Sequence, residues 1–198
     1  MNDMNELMLH FLQDIYYAEK LGLRGMAKVM RAVQNDEVKE ALQHHREQTQ
    51  KQVERLAEVF AALGKKPRAK TCAAMDGLME ECNEAIQEGE KGPVLDAALI
   101  ACQQAAEHYE IARYGAMAAW ARSMQLDEAA EILEEILQEE KDADEHLNDI
   151  ALRALNPEAA EQEGGEEDED AEGSEEEPEP EPEPVAEAPK RRRARAKA

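Results

Sequence analysis

The chain is short of the residues that build most sheet cores. One Trp, two Phe and four Tyr occur in 198 residues. Any core must therefore come from Leu, Ile, Met, Val and Ala, a composition that favours helices over strands. Proline is nearly missing from the first three quarters: only Pro67 and Pro93 precede residue 157, and neither interrupts a helical pattern. Cysteine is scarce and odd in number. Cys72, Cys82 and Cys102 fit neither a CxxC nor a zinc-ribbon spacing and read as free thiols in a reducing compartment. No apolar run approaches the ~18 residues that span a bilayer. Met1 to Glu6 lacks the basic region that opens a secretory signal. The expectation is a soluble cytoplasmic protein. Positive charge is also short, with 23 basic against 46 acidic residues and a net charge of -23. That balance argues against non-specific binding of DNA or anionic membranes by the body of the chain.

What the chain does have is helical periodicity. A first helix is expected from about Asp3 to Val33, with Leu7, Phe11, Ile15, Leu23, Met26, Met30 and Val33 on one stripe. Asn35-Asp36 supplies a turn and an N-cap, and a second helix runs to about Leu63, stopped by Gly64 and Pro67. Cys72 to Gly89 forms a shorter amphipathic helix, bounded by Gly89 and Gly92-Pro93. A third long helix, rich in Ala, covers Val94 to Met124, and a fourth, with Asp127 as its expected cap, runs to about Leu155. Two helical hairpins joined through a short helix make an all-α, ferritin-like antiparallel four-helix bundle with one crossover, over residues 1–156.

Beyond it the composition changes. Residues 157–189 hold 16 acidic residues, no basic one and Val185 as the only bulky apolar side chain. Such a segment cannot bury enough surface to offset ordering entropy and is expected to be a disordered linker, with Glu-Pro repeats at 177–184 favouring an extended spacer. Residues 190–198 form a basic tip with six positive charges. Contact of this tip with nucleic acid or an acidic partner is one reading. A solubilising tail whose ends attract each other is the other.

The apolar stripes contain carboxylates. Glu19 lies between Ile15 and Leu23 on the first helix, and Glu140 between Ile136 and Leu147 on the fourth. On the third, Glu110 sits in a stripe with Leu99, Gln103, Ala106 and Met117, flanked by Glu107 and Tyr114. Asp144 lies one turn after Glu140, offset by about 40° but within reach. Folding each hairpin at its turn brings these residues to one depth. The second helix supplies His45, Gln48, Thr49 and Gln52, where a standard di-iron bundle has Glu-x-x-His. Inward carboxylates are costly unless paired or metal-bound, so two readings stand: a buried polar layer, or an iron or manganese site. In the second, Glu19, Glu107, Glu110, Glu140 and Asp144 are the candidate ligands. His45, Gln48, Gln52, Gln103 and Tyr114 are their supporting hydrogen-bond partners.

Several segments resemble the YciE/YciF-type ferritin-like family. They are Asp14-Ile15-Tyr16-Tyr17-Ala18-Glu19-Lys20, Gln52-Val53-Glu54-Arg55-Leu56, Cys72-Ala73-Ala74-Met75-Asp76-Gly77-Leu78, Asp96-Ala97-Ala98-Leu99-Ile100, Glu107-His108-Tyr109-Glu110-Ile111-Ala112 and Glu139-Glu140-Lys141-Asp142-Ala143-Asp144. The resemblance implies a bacterial, stress-associated, rubrerythrin-related bundle, a homodimer, and a di-iron-type centre inferred by fold analogy. It places Glu19, Glu107, Glu110, Glu140 and Asp144 in motif positions. Gln48 and Gln50 stand where some members have Glu or His. The expected function is metal-dependent handling of oxygen or peroxide; the alternative is a non-enzymatic scaffold or protective binding protein whose tail contacts partners.

Overall fold

The computed structural model describes residues 1–163. The expected basic tip at 190–198, and the acidic linker from residue 164 onward, lie outside the described residues. Four long helices form the bundle: α1 (Met4–Ala32), α2 (Asp36–Ala62), α4 (Pro93–Ser123) and α5 (Asp127–Ile150). The short α3 (Ala73–Glu88) lies in the crossover. Each start has a local cause. Asp3 accepts the Glu6 N–H at 2.8 Å, Asn35 accepts that of Val38 at 3.1 Å, and Pro93 occupies the first turn of α4, where no N–H is needed. Gly64, at φ 65°, closes α2 in the left-handed conformation expected of a helix stop.

Two expectations need correction. Asp127 does not cap α5: it is the first helical residue, and its carboxylate accepts from Arg122 at 3.2 Å instead. The tight turn, in which the Leu126 N–H reaches back to the Ala121 carbonyl at 3.0 Å, hands the cap position to Leu126. The bundle also does not stop before Pro157. After α5 the chain makes one π-helical turn (Ala151–Leu155) and continues as α6 (Asn156–Glu163). In that turn the Asn156 N–H bonds to the Ala151 carbonyl, five residues back. The register shift puts Pro157 in the first turn of a fresh helix, where its missing N–H is harmless.

The direction of each helix follows from who shares its core. One apolar cluster joins the start of α1 (Met8, Leu12) to the end of α2 (Leu56, Phe60), the end of α4 (Met117, Ala121) and the start of α5 (Leu133). A second joins Met26, Val29, Leu42, Leu99, Ile100, Leu147 and Ile150, the opposite ends of the same helices. Neighbouring helices are therefore antiparallel throughout, in the order up, down, down, up. The link from α2 to α4 must travel the length of the bundle, and α3 rides on it. Tyr17 of α1 fastens α3 by donating to Asp76 at 2.7 Å. Gly25 leaves room for the end of the Met79 side chain of α3, whose sulfur would lie 2.5 Å from a Cβ at that position.

Asp96, near the start of α4, is buried and ties the hairpin turn of α1 and α2 to α4. Its carboxylate accepts the Gln34 N–H at 2.9 and 3.1 Å and the Asn35 N–H at 2.7 Å. Between the two apolar clusters lies a layer of buried polar side chains: Glu19, His45, Thr49, Gln52, Gln103, Glu107, Glu110 and Glu140.

Candidate metal centre

Each long helix feeds this layer. α1 gives Glu19, α2 gives His45, α4 gives Glu107 and Glu110, and α5 gives Glu140. Their donor atoms fall into two sets, His45–Glu107–Glu140 and Glu19–Glu110–Glu140, and within each set all lie within 4.8 Å of one another. Glu140 belongs to both. All five residues are buried, with Glu107 and Glu140 at 0 % exposure.

On one side, His45 Nε2 stands 3.1 Å from Glu107 Oε1 and 3.4 Å from Glu140 Oε2. Gln103 donates to Glu107 at 2.6 Å from one turn earlier on α4. Burial pushes the Glu107 carboxyl upward, but the charge and hydrogen bond of His45, with further donors, outweigh it and leave the group below its ordinary value. Burial alone would lower His45; the adjacent Glu107 charge and hydrogen bond reverse this and raise it, with smaller pushes from Glu19 and Gln48. On the other side, Tyr114 donates a hydrogen bond to Glu19. Burial dominates there, and Glu19 is raised to about 7 even though the Tyr114 hydrogen bond and His45 pull it down. Burial followed by neighbouring carboxylate charge drives Glu110 and Glu140 well above their ordinary values. Tyr114 is likewise raised, first by burial and then by Glu19.

The layer is short of partners. Glu19 Oε2, Glu107 Oε2, both oxygens of Glu140 and His45 Nδ1 are buried with no hydrogen-bond partner. Buried polar atoms in folded proteins are overwhelmingly satisfied, and this many orphans at one spot call for a cation or water. Carboxylate oxygen with one imidazole nitrogen suits iron, manganese or zinc; the hard oxygen majority favours the first two. The residues present fit such an ion.

Of the sequence-predicted ligands, Glu19, Glu107, Glu110 and Glu140 are brought together. Asp144 is not: it is half-buried, accepts from Gln104 at 3.1 Å and pairs with His108 at 3.3 Å. The 40° offset estimated for it swings it out of the core and onto the seam between α4 and α5. His45 moves the other way, from supporting residue to direct candidate ligand. Gln103 donates to Glu107 and Tyr114 to Glu19. Gln48 is half-buried beside His45. Gln52 is buried, but its amide donates to Glu139 at 2.9 Å rather than to the ligand carboxylates. Glu139, held also by Arg55, was not anticipated; its signal was the Glu139-Glu140 pair facing the Gln52-x-x-Arg55 spacing across the α2–α5 interface.

A cleft of about 310 Å³ between α2 and α5 leads toward the layer. His44, Asp142 and His146 stand at its exposed rim and His45 on its buried floor.

Fold and site together define a ferritin-like helical bundle with a carboxylate- and imidazole-lined core. The chain matches the family described as Domain of unknown function (DUF892) over residues 3–160 and belongs to it. It is 42% identical over 160 residues to Protein YciF of Escherichia coli K12, covering 80% of this chain and 96% of that protein. The crystal structure of the E. coli stress protein YciF superimposes with a TM-score of 0.76, covering 79% of this chain and 99% of that one. YcfI of Rhodopseudomonas palustris, 45% identical, gives 0.72 over 74% of this chain and 94% of its own. A Xanthomonas campestris protein, 25% identical, gives 0.67 over 82% and 99%. Among the described residues no helix is long and apolar enough to cross a membrane.

Proposed function

We propose that the chain is a stress protein that binds iron or manganese in its core through His45, Glu107, Glu140, Glu19 and Glu110, and that the loaded centre handles oxygen or peroxide. The observation that carries this reading is the set of orphaned buried atoms shared by the two ligand groups, with both Glu140 oxygens among them. A purely structural polar layer accounts for them less well, because four carboxylates face one imidazole and too few donors. Such a layer leaves desolvated acceptors at a cost of about 1–3 kcal/mol each. The stress association rests on the likeness to YciF, whose structure is described as that of a stress protein.

A bound ion would neutralise the clustered carboxylates and, being redox-active, exchange single electrons with oxygen or peroxide. The chain's own residues do the rest. Tyr114 and Gln103 orient Glu19 and Glu107 by hydrogen bonds, and the apolar clusters above and below keep bulk water away. The cleft over His45 gives small molecules a way in. Homodimerisation belongs to the same proposal, and sedimentation of the full chain reads it as twice 22.2 kDa. Anaerobic titration with Fe(II) or Mn(II), followed by metal analysis after desalting, tests the site. At least one ion per chain is expected; a content under about 0.1 per chain sinks the reading.

A further inference from the structure

The cleft between α2 and α5 carries donors that the core layer does not use. Its shape has a local cause. Ala41 on α2 and Ala143 on α5 line it, and side chains this small cannot fill the seam between two helices. About 310 Å³ is left open. Successive residues on a helix point about 100° apart, so His44 and His45 divide the cleft. The first is exposed at the rim and the second is buried on the floor. Asp142 and His146 are four residues apart on one face of α5, both exposed at the rim. Gln138 steadies Asp142 by donating to its Oδ1 at 2.7 Å.

Two imidazoles and a carboxylate at one mouth are ligand types for a first-row divalent ion. They do not form a tight site. Among the described residues, only the two core sets bring three such donors within 4.8 Å of one another. Loose, exposed donors suit an ion in transit, because a closed site at the rim would keep it. The floor supplies a second observation. His45 is 4 % exposed, and its Nε2 lies against Glu107 and Glu140. Nδ1, on the other side of the ring, is buried with no hydrogen-bond partner. Where Nε2 donates its proton to Glu107, Nδ1 carries a free lone pair that a cation can use. Along the bundle axis, by contrast, apolar clusters flank the layer, and a hydrated ion crossing them would shed water without replacement.

The geometry points to the α2–α5 cleft as the port through which a divalent cation reaches the layer, with His44, Asp142 and His146 collecting it at the rim and His45 as its first buried ligand. This rests on the proposed core site and adds the route to it. The net charge of -23 raises the local concentration of any cation. The rim donors replace part of the ion's water, and His45 takes it over from them. Glu140, which both core sets share, receives it.

The test loads the full chain, stripped of metal, with Fe(II) under anaerobic conditions. Aliquots are quenched at intervals with a chelator that binds free ion, and iron held by the protein is measured after desalting. His44→Ala combined with His146→Ala, both at exposed positions, should load about tenfold more slowly than wild type. Final iron per chain should be unchanged. Release to excess chelator should slow by the same factor, since a port acts in both directions and leaves affinity alone. Ala143→Leu, which narrows the seam without removing a donor, should slow loading in the same way. Loading of both variants at the wild-type rate overturns the port and leaves the core site standing. A lower final iron content at an unchanged rate also overturns it, because the rim residues would then be ligands of the stored ion. A wild type that holds no iron overturns the core reading and the port with it.

Discussion

The two halves of the carboxylate layer share Glu140 but solve the problem of buried charge in opposite ways. On the His45 side an imidazole and an amide meet Glu107, and the carboxylate stays ionised well inside the core. On the Glu19 side, among the described residues, Tyr114 donates to Glu19 and His45 acts only from further off, so burial dominates and both Glu19 and Glu110 are pushed above their ordinary values. Equal burial has thus left both halves with protons to shed as an ion binds: from His45, which must be neutral to ligate, on one side, from Glu19 and Glu110 on the other, and from Glu140 in common. Metal binding at either side should therefore release protons and weaken as pH falls.

Removing the shared residue should have the largest effect. Glu140→Gln is expected to lower Fe(II) affinity by more than about 100-fold in both halves, read by anaerobic titration. The same variant, stripped by chelator, should melt higher than the stripped wild type, because a desolvated acid has gone. If it melts lower, Glu140 is structural and the comparison fails. His45→Ala comes next: it should weaken uptake on its own side by at least about 10–100-fold and leave Glu107 without its cation. Uptake equal to wild type would place the metal wholly on the Glu19 side.

Acidity separates the halves more gently. Glu19 sits at about 7 in the fold against an ordinary value of 4.5. The folded chain then holds this proton more tightly than the unfolded one. The stabilisation is full below about pH 4.5 and is lost as pH rises through about 7, a change of about 3 kcal/mol at most. Chelator-stripped wild type should therefore lose stability between those limits relative to Glu19→Gln. Equal pH slopes for the two proteins would remove Glu19 from the set of protonated acids. Smallest is Tyr114→Phe, which withdraws one donor from Glu19. It should weaken metal binding by about tenfold or less and leave the His45 side unchanged, as seen in the stoichiometry.

The long helices were legible because apolar spacing and breakers agreed, and Glu19, Glu110 and Glu140 were legible because they interrupt a stripe. Periodicity puts Glu107 on the flank of its stripe, yet it is fully buried. The Ala-rich α4 lets neighbours close around a wider arc than the stripe implies, so Gln103, Ala106, Glu107, Glu110 and Tyr114 are all inside. Spacing turns His45 inward, but without a Glu-x-x-His pattern nothing in the sequence shows that one imidazole can serve two carboxylates. Asp144 shows the reverse error: on a helix edge, a few tens of degrees decide between core and seam. The passage through Pro157 could not be read from propensity, because a π turn resets the register before the proline arrives.

Asp96 gives this geometry an unexpected dependence. Its carboxylate clasps the turn between α1 and α2 from α4, at one end of the bundle. Glu107 lies eleven residues further along α4, roughly 16 Å away. That clasp sets how far α4 slides along the first hairpin, so it acts as the index mark that lines up donors from separate hairpins. A slip of one helical turn there, about 5 Å, would preserve every apolar stripe and still carry Glu107 and Glu110 past His45 and Glu19. The chemistry at the middle of the bundle is calibrated from its end.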